Sequence, residues 1–431
     1  VRVLWFTNIA IGEAPDLMGS TRNIFGGWLD GMFGQFSDTD GVEVSVAFPL
    51  KDPVPAITGD SATYYSFRSG PLGQEPVSGI VDSIRDILSD AQPDIVHVFG
   101  TESQHVVTVL RLCQELRIPA LLQMQGLMGS ITKHFTGWLP DKVTRRATLP
   151  ERVLKRSTQH HLDNFRAAGE LESEALGLAK HVLGHTTYDR AWASQVTPSA
   201  TYHHAEETLR QVFYGNDRWS PNLCDRYSLL VSQASVPYKG AHIAISAMPI
   251  ILRSFPDAVL YIAGPNPVGS GSLMQRIRRS GYGWYLSRLI KRCALSDKVK
   301  FVGALDQSAM RDRYLQSHVF LSCSSIENES NSVSEAKILG VPVVASYVGG
   351  VTDRIRHGVT GFHYQGDAPY MLAHFAMEIF SNDKLALNLG SEARADAVLR
   401  HDRQRNLNRI LEIYRTVLLS PGYESEVSNG E

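Results

Sequence analysis

The stretch Ser324-Ser-Ile-Glu-Asn-Glu-Ser-Asn-Ser-Val-Ser-Glu-Ala-Lys-Ile-Leu-Gly-Val-Pro-Val-Val-Ala-Ser346 sets two carboxylates, Glu327 and Glu335, eight residues apart. The apolar run His318–Cys323 before it predicts a buried parallel strand, and Val341–Ala345 predicts the next. Between them Ser332–Leu339 reads as a helix, with Asn331 or Ser332 as N-cap. The unit is strand–loop–helix–strand, with Glu327 past the strand's C-terminal end and Glu335 inside the helix. Ligands of open α/β sheets bind at that end of the strands. Backbone N–H groups around Asn331, Ser332 and Val333 would suit a phosphate. A carboxylate on the first helical turns could accept hydrogen bonds from two adjacent hydroxyls, such as those of a ribose. Hydrogen bonds to a charged group are each worth ~1.5–3 kcal/mol. Two glutamates at this spacing are also compatible with a solvated helix face.

The glycines that follow, Gly349-Gly350 and then Arg356-His-Gly-Val-Thr-Gly361, mark tight turns after the second strand. Taken together, Ser324–Gly361 resembles the E-x7-E signature of the family-four retaining glycosyltransferases. That resemblance implies an α/β chain of GT-B fold: two Rossmann-like domains with a cleft between them and a C-terminal helix crossing back to the first. It also implies a nucleotide diphosphate sugar as donor, with UDP preferred because similar proteins commonly use it.

Composition fits such a chain. Its 431 residues suffice for two or three domains, and 43% hydrophobic with 20% charged residues is ordinary for a globular protein. A net charge of -2 gives no case for a nucleic-acid partner. Cys113, Cys224, Cys293 and Cys323 are scattered without metal-ligand spacing. They point to a reducing compartment, with neither a disulfide framework nor structural zinc. No apolar run approaches the ~18–20 residues of a spanning helix, and the chain opens directly on a strand. The expected location is cytoplasmic.

Strands are expected at Val1–Phe6, Val42–Phe48, Ile95–Phe99, Ala120–Gln123 and His181–Gly184, with helices at Val77–Ser89 and His105–Leu116. A second set is expected at Ser228–Ser232, Val259–Ala263, Val299–Val302, His318–Cys323 and Val341–Ser346. The expected domains are therefore 1–215 on the acceptor side and 225–400 for the nucleotide sugar. A crossover helix over 401–420 and a Ser/Glu-rich tail over 421–431, expected to be flexible, complete the chain.

Further candidate residues lie at predicted strand ends. Gly26-Gly27 could let backbone N–H groups approach a diphosphate, or could form a plain turn. Asp38-Thr39-Asp40 reads as a solvated turn, so no metal or other cofactor is expected. A strand end offers His97 and Glu102 as candidates for the acceptor or sugar side. A histidine inside a strand is more often a satisfied core residue, and the resemblance favours Glu102, which lies past the strand end. Gln125-Gly126 stands where relatives carry His-Gly. Glutamine can orient a hydroxyl but cannot serve as a general base. Val231–Gly240 resembles the family's K-G loop, which gives Lys239 the donor diphosphate. The family's usual Arg is replaced there by Gln233 and Ala234, and Gln233, Ser232 or Arg210 would compensate. Gly264 closes a strand that should flank the nucleobase. Asn328, Glu329 and Ser330 replace a small Gly-Phe-Gly run, which predicts a more polar sugar pocket.

Basic and aromatic residues between Thr132 and Arg166, among them Phe135 and Trp138, have two readings: a peripheral membrane contact or solvated helix faces. The resemblance thus assigns catalytic parts to Glu327, Lys239 and Gln125. Its acceptor is a glycan or a lipid-linked sugar, as in cell-surface polysaccharide or glycoconjugate synthesis. A sugar-nucleotide epimerase of the same fold and a non-catalytic nucleotide-binding subunit are the alternatives.

Overall fold

Short Val-, Ile- and Leu-rich runs, buried on both faces, form two sheets. The computed structural model describes residues 1–20, 27–70, 77–145, 147–148, 151–152, 157–233, 235–269 and 279–420. Gly26, Ala234 and the tail 421–431 lie outside the described residues.

The first sheet has eight strands: β1 (Arg2–Phe6), β2 (Glu43–Pro49), β3 (Ile57–Thr58), β4 (Thr63–Phe67), β5 (Ile95–Phe99), β6 (Ala120–Gln123), β7 (His181–Gly184) and β8 (Thr201–His204). Their order is β3-β4-β2-β1-β5-β6-β7-β8. The pairings are parallel except that of β3 with β4. The order reverses at β1/β5, where Val3 faces Ile95 and Phe6 faces Val98. The C-terminal helix Arg403–Leu418 belongs to this unit. Asp402 caps it by accepting from Arg405 N at 2.7 Å. Leu407, Ile410, Ile413, Tyr414 and Val417 recur at helical spacing and enter the core of Trp5, Phe36 and Phe99.

The second sheet has six strands: β9 (Asp225–Val231), β10 (Val259–Ala263), β11 (Val299–Gly303), β12 (Ser317–Ser322), β13 (Val343–Ser346) and β14 (Phe362–Tyr364). Their order is β11-β10-β9-β12-β13-β14, and the pairings are parallel. This order reverses at β9/β12, where Leu230 faces Phe320. Such a reversal leaves the two following loops diverging to opposite faces of the sheet and opens a crevice at the strand ends.

The domain limits differ from expectation in one respect. The described residues of 1–129, 164–210 and 401–420 pack as one unit, while those of 130–163 pack with those of 211–400. Among the described residues no helix is long and apolar enough to cross a membrane.

Candidate functional site

In the second unit the loops after β9 and β12 are stitched together. Ser325 N donates to Tyr238 O at 2.7 Å. Gly240 has φ +71°, and a Cβ there would lie 1.8 Å from Cys323 O, so only glycine allows this approach. Pro237–Lys239 forms a short 3₁₀ turn that Gly240 ends, and the helix Ala241–Ile251 starts at once. The stitching brings Lys239 Nζ to 2.6 Å from Glu327 Oε1. Ser324 Oγ donates to the same oxygen at 2.7 Å. The Lys239 and Glu327 side chains keep 22% and 14% of their surface. Burial works against the Lys239 charge, but the adjacent Glu327 carboxylate, with Tyr238, holds its pKa above the ordinary lysine value. The Glu327 backbone is fixed as well. Its carbonyl accepts Gly350 N at 3.0 Å, and a Cβ on Gly349 would lie 2.0 Å from it. The paired glycines thus serve Glu327 directly.

The helix after Glu327 runs Asn331–Leu339 with Ser330 as N-cap, one residue earlier than expected. Val333 was expected to offer its N–H to a phosphate, but that group donates to Ser330 O at 3.0 Å, and its side chain is in the core. The first turn closes tightly, so of Ser332 and Val333 only the Ser332 N–H stays outside the helix ladder. Glu335 lies on the second turn, 5% exposed, with Tyr314 OH 3.4 Å from Oε2. The same hydroxyl donates to Ser332 O at 3.1 Å. Tyr314 therefore ties the helix start to Glu335.

Gln233 follows β9 half-buried, with Nε2 3.4 Å from Ser235 Oγ. Gly264, at φ +88°, follows the neighbouring β10, and its N–H donates to Gly303 O at 2.7 Å. A Cβ on Gly264 would stand 3.6 Å from Gln233 Cα, so the two loops run side by side. Glu329 was expected to make the sugar pocket polar. Its carboxylate instead takes Arg354, with Nε 2.9 Å from both oxygens, and both side chains are buried. Lys337, also buried, is bonded to Asp396 and to Arg354 O, and burial lowers its pKa.

In the first unit the β1/β5 reversal carries a second polar group. Asn8 Nδ2 donates to Glu102 Oε1 at 2.9 Å, and Thr101 N donates to Oε2 at 2.8 Å. Burial raises the Glu102 pKa. His97 is corrected: it lies wholly inside the core, with Nδ1 2.7 Å from Tyr414 OH, and burial pushes its pKa down to about 3. A neutral imidazole packed against Phe99 at 4.1 Å between ring centroids supports the sheet and offers nothing to a sugar. Gln125 is half-buried in the loop after β6. Gly27 starts the helix Gly27–Ser37 and is buried. The Asp38–Asp40 segment forms the turn expected, with Thr39 N donating to Phe36 O.

Sequence reasoning missed Glu172. This carboxylate is buried in the helix Thr158–Leu178 and accepts Met128 N at 2.8 Å, Gly129 N at 3.2 Å and Thr101 Oγ1 at 3.2 Å. It joins the loops after β5 and β6. Burial, with a smaller push from Glu102, raises its pKa to about 7. The basic segment is corrected in part: Phe135 is buried, 5.7 Å from the Tyr238 ring, so it cannot face a membrane.

Residues 216–396 match the family "Glycosyl transferases group 1". A D-inositol 3-phosphate glycosyltransferase of Corynebacterium urealyticum is 25% identical over 186 residues, which are 42% of this chain and 41% of that protein. The chain therefore spans well under half the length of that relative. Among solved structures, a sucrose-phosphate synthase of Thermosynechococcus elongatus superposes with TM-score 0.68 at 17% identity, over 96% of this chain and 98% of the other. Anabaena HepE, solved in complex with UDP and glucose, gives 0.66 at 17% identity, over 96% and 99%.

Proposed function

We propose, from the chain's place through residues 216–396 in the group 1 glycosyl transferases and from its GT-B fold, that it moves a sugar from a nucleotide diphosphate sugar to a glycan or lipid-linked acceptor. Retention of anomeric configuration is part of the reading. The observation that carries it is the Lys239–Glu327 pair at the β9/β12 reversal, with Glu335 on the second turn of the helix that follows. An ammonium has three N–H groups. One meets Glu327, and the others would meet the donor diphosphate. As the sugar leaves, negative charge grows on that diphosphate, and a fixed cation beside it lowers the barrier. Lys239 supplies the charge a metal would otherwise bring, so the reaction is expected to persist in EDTA.

Glu335 would accept the two ribose hydroxyls, and the Ser332 N–H would meet a phosphate oxygen. Glu327 would hold a hydroxyl of the transferred sugar and, through Lys239, register it against the leaving group. Gln125 and Glu102 would serve hydroxyls on the sugar or acceptor side. The acceptor oxygen would attack the face that the diphosphate leaves, and its proton would pass to the departing phosphate oxygen. UDP is favoured because the similar HepE structure holds it. The test is a thermal-shift panel of UDP, GDP and ADP sugars with nucleotide release read in the same wells. One donor should raise the melting temperature, and Glu335→Ala should abolish the rise. A panel without any shift overturns the roles given to Glu335 and Lys239.

A further inference from the structure

Beyond the loop that carries Gly349 and Gly350, the ends of β13 and β14 open onto a pocket of about 600 Å³ in the second unit. Its lining includes two aromatic rings, Trp138 and Tyr347, and the polar groups of His357, Gln365 and Asp367. None of these residues belongs to the Lys239–Glu327–Glu335 group.

The aromatic lining is built rather than incidental. Trp138 has φ +61°, a left-handed conformation that is unfavourable for a non-glycine residue. It follows Gly137 at φ +56°, whose Cβ would meet Pro237 O at 2.4 Å. The Gly137 carbonyl accepts His242 Nε2 at 2.6 Å, from a histidine inside the core. The Trp138 ring then lies so close to Gly366 that a Cβ there would be 2.1 Å from it. Even so, 41% of Trp138 stays exposed, and Tyr347 keeps 66%. Tyr347 is anchored through its backbone N–H to Tyr364 O at 2.9 Å, with its ring edge-on to His363 at 5.1 Å. Two large rings fixed from behind and open in front lose little freedom on binding.

The polar lining suits hydroxyl groups. His357 Nδ1 accepts His363 N at 3.0 Å, so its proton sits on Nε2, a donor. Gln365 Nε2 donates to Asp367 Oδ1 at 2.8 Å, which leaves an amide oxygen and a carboxylate oxygen as acceptors at the exposed rim. Aromatic faces beside donors and acceptors match the two sides of a pyranose ring, with C–H groups on its face and hydroxyls at its edge. The volume lies within the usual range of ~300–1,000 Å³ for small-molecule sites.

We infer that this pocket is a glycan-holding subsite that seats pyranose units of an oligosaccharide on Trp138 and Tyr347. Its link to the reaction rests on the reading of the acceptor as a glycan. The pocket borders Val348, and the next two residues fix the Glu327 backbone. A glycan chain held here would be gripped away from its reacting end.

The test needs no donor. Saturation-transfer NMR on the full chain with maltohexaose, chitohexaose and an α-linked mannohexaose should show binding of at least one. Trp138→Ala and Tyr347→Ala should each weaken that binding about tenfold or more, and Trp138→Phe should recover most of it. Melting temperature reports on the fold. Tyr347, whose side chain is mostly in solvent, keeps the test decisive if Trp138→Ala unfolds. Absence of binding by all three hexasaccharides overturns the inference, as does unchanged binding in Tyr347→Ala. A failed donor panel with hexasaccharide binding intact would sink the transferase reading and leave the pocket standing.

Discussion

Replacing Lys239 by methionine separates a chemical role from a structural one. The side chain keeps most of its length and loses its charge. In the folded protein its Nζ lies 2.6 Å from Glu327 Oε1, with 22% and 14% of the two side chains exposed. Both partners keep some contact with water, and Ser324, whose Oγ donates to Glu327 at 2.7 Å, is untouched by the change. The stability loss should therefore lie between the ~1 kcal/mol of a solvent-screened pair and the ~3–5 kcal/mol of a fully buried one. Catalysis should suffer separately. A preorganised donor aimed at developing charge is worth ~10²–10³ in kcat, or about 2.7–4 kcal/mol. Nucleotide release at saturating donor, paired with a urea melt on the same preparation, separates the two effects. Glu327→Gln should also lower kcat, and the double variant should fall by less than the product of the two, since the residues are in contact. Should Lys239→Met keep kcat within about fivefold of the parent chain, the ammonium is not stabilising the leaving group and the reasoning fails.

Three further outcomes follow from the geometry. Glu172 rises from 4.5 to about 7 on folding because burial disfavours its charge. Its contribution to stability is present in full below pH 4.5 and is lost as pH rises through about 7. Thermal melts at pH 5 and pH 8 should show Glu172→Gln gaining on the parent chain at the higher pH, by up to ~3 kcal/mol. Gly240→Ala must seat a Cβ 1.8 Å from Cys323 O at φ +71° and should cost more than ~2 kcal/mol in a urea titration. Gly303→Ala, at φ +79° with nothing within 4 Å, should cost only ~1–2. Arg354→Met leaves the buried Glu329 charge alone and should destabilise by ~3–5 kcal/mol, with Glu329→Gln on the same chain recovering part of it in the same titration.

Much of the fold was legible because buried parallel strands carry an unbroken apolar signal. β5, β6, β7 and β10 begin and end where that signal does. The strands that were missed lack it. β3 has two residues, β14 has three, and β4 (Thr-Tyr-Tyr-Ser-Phe) and β8 (Thr-Tyr-His-His) mix polar and aromatic residues. The helix Arg403–Leu418 was legible through its apolar spacing, and its packing on the first sheet matches the expectation drawn from resemblance. The placement of 130–163 with the second unit had no local signature. It depends on contacts such as Ser325 Oγ donating to His134 O at 2.7 Å and Gly281 N donating to Glu151 Oε1 at 2.8 Å, between residues far apart in the chain.

The candidate site divides the same way. Glu327 and Glu335 were visible because their loop and helix are contiguous in sequence. Lys239 stands 88 residues from Glu327, and only the family resemblance suggested that they share a site. Glu172 is 43 to 71 residues from the groups it holds and sits in a long polar helix, so no local pattern marks it. His97 was misplaced because a strand-end position says nothing of which side the ring takes. Here the ring points into the core toward Tyr414, 317 residues later.

The most direct test of the central claim is the stereochemistry of the slow reaction with water. The donor picked out by the panel, an α-linked nucleotide sugar, would be followed by proton NMR from the first minutes. The account predicts that free sugar appears first as the α anomer, before mutarotation, and that Lys239→Met and Glu335→Ala suppress it. First appearance of the β anomer, or release that is unchanged in both variants, would contradict retaining transfer at this site.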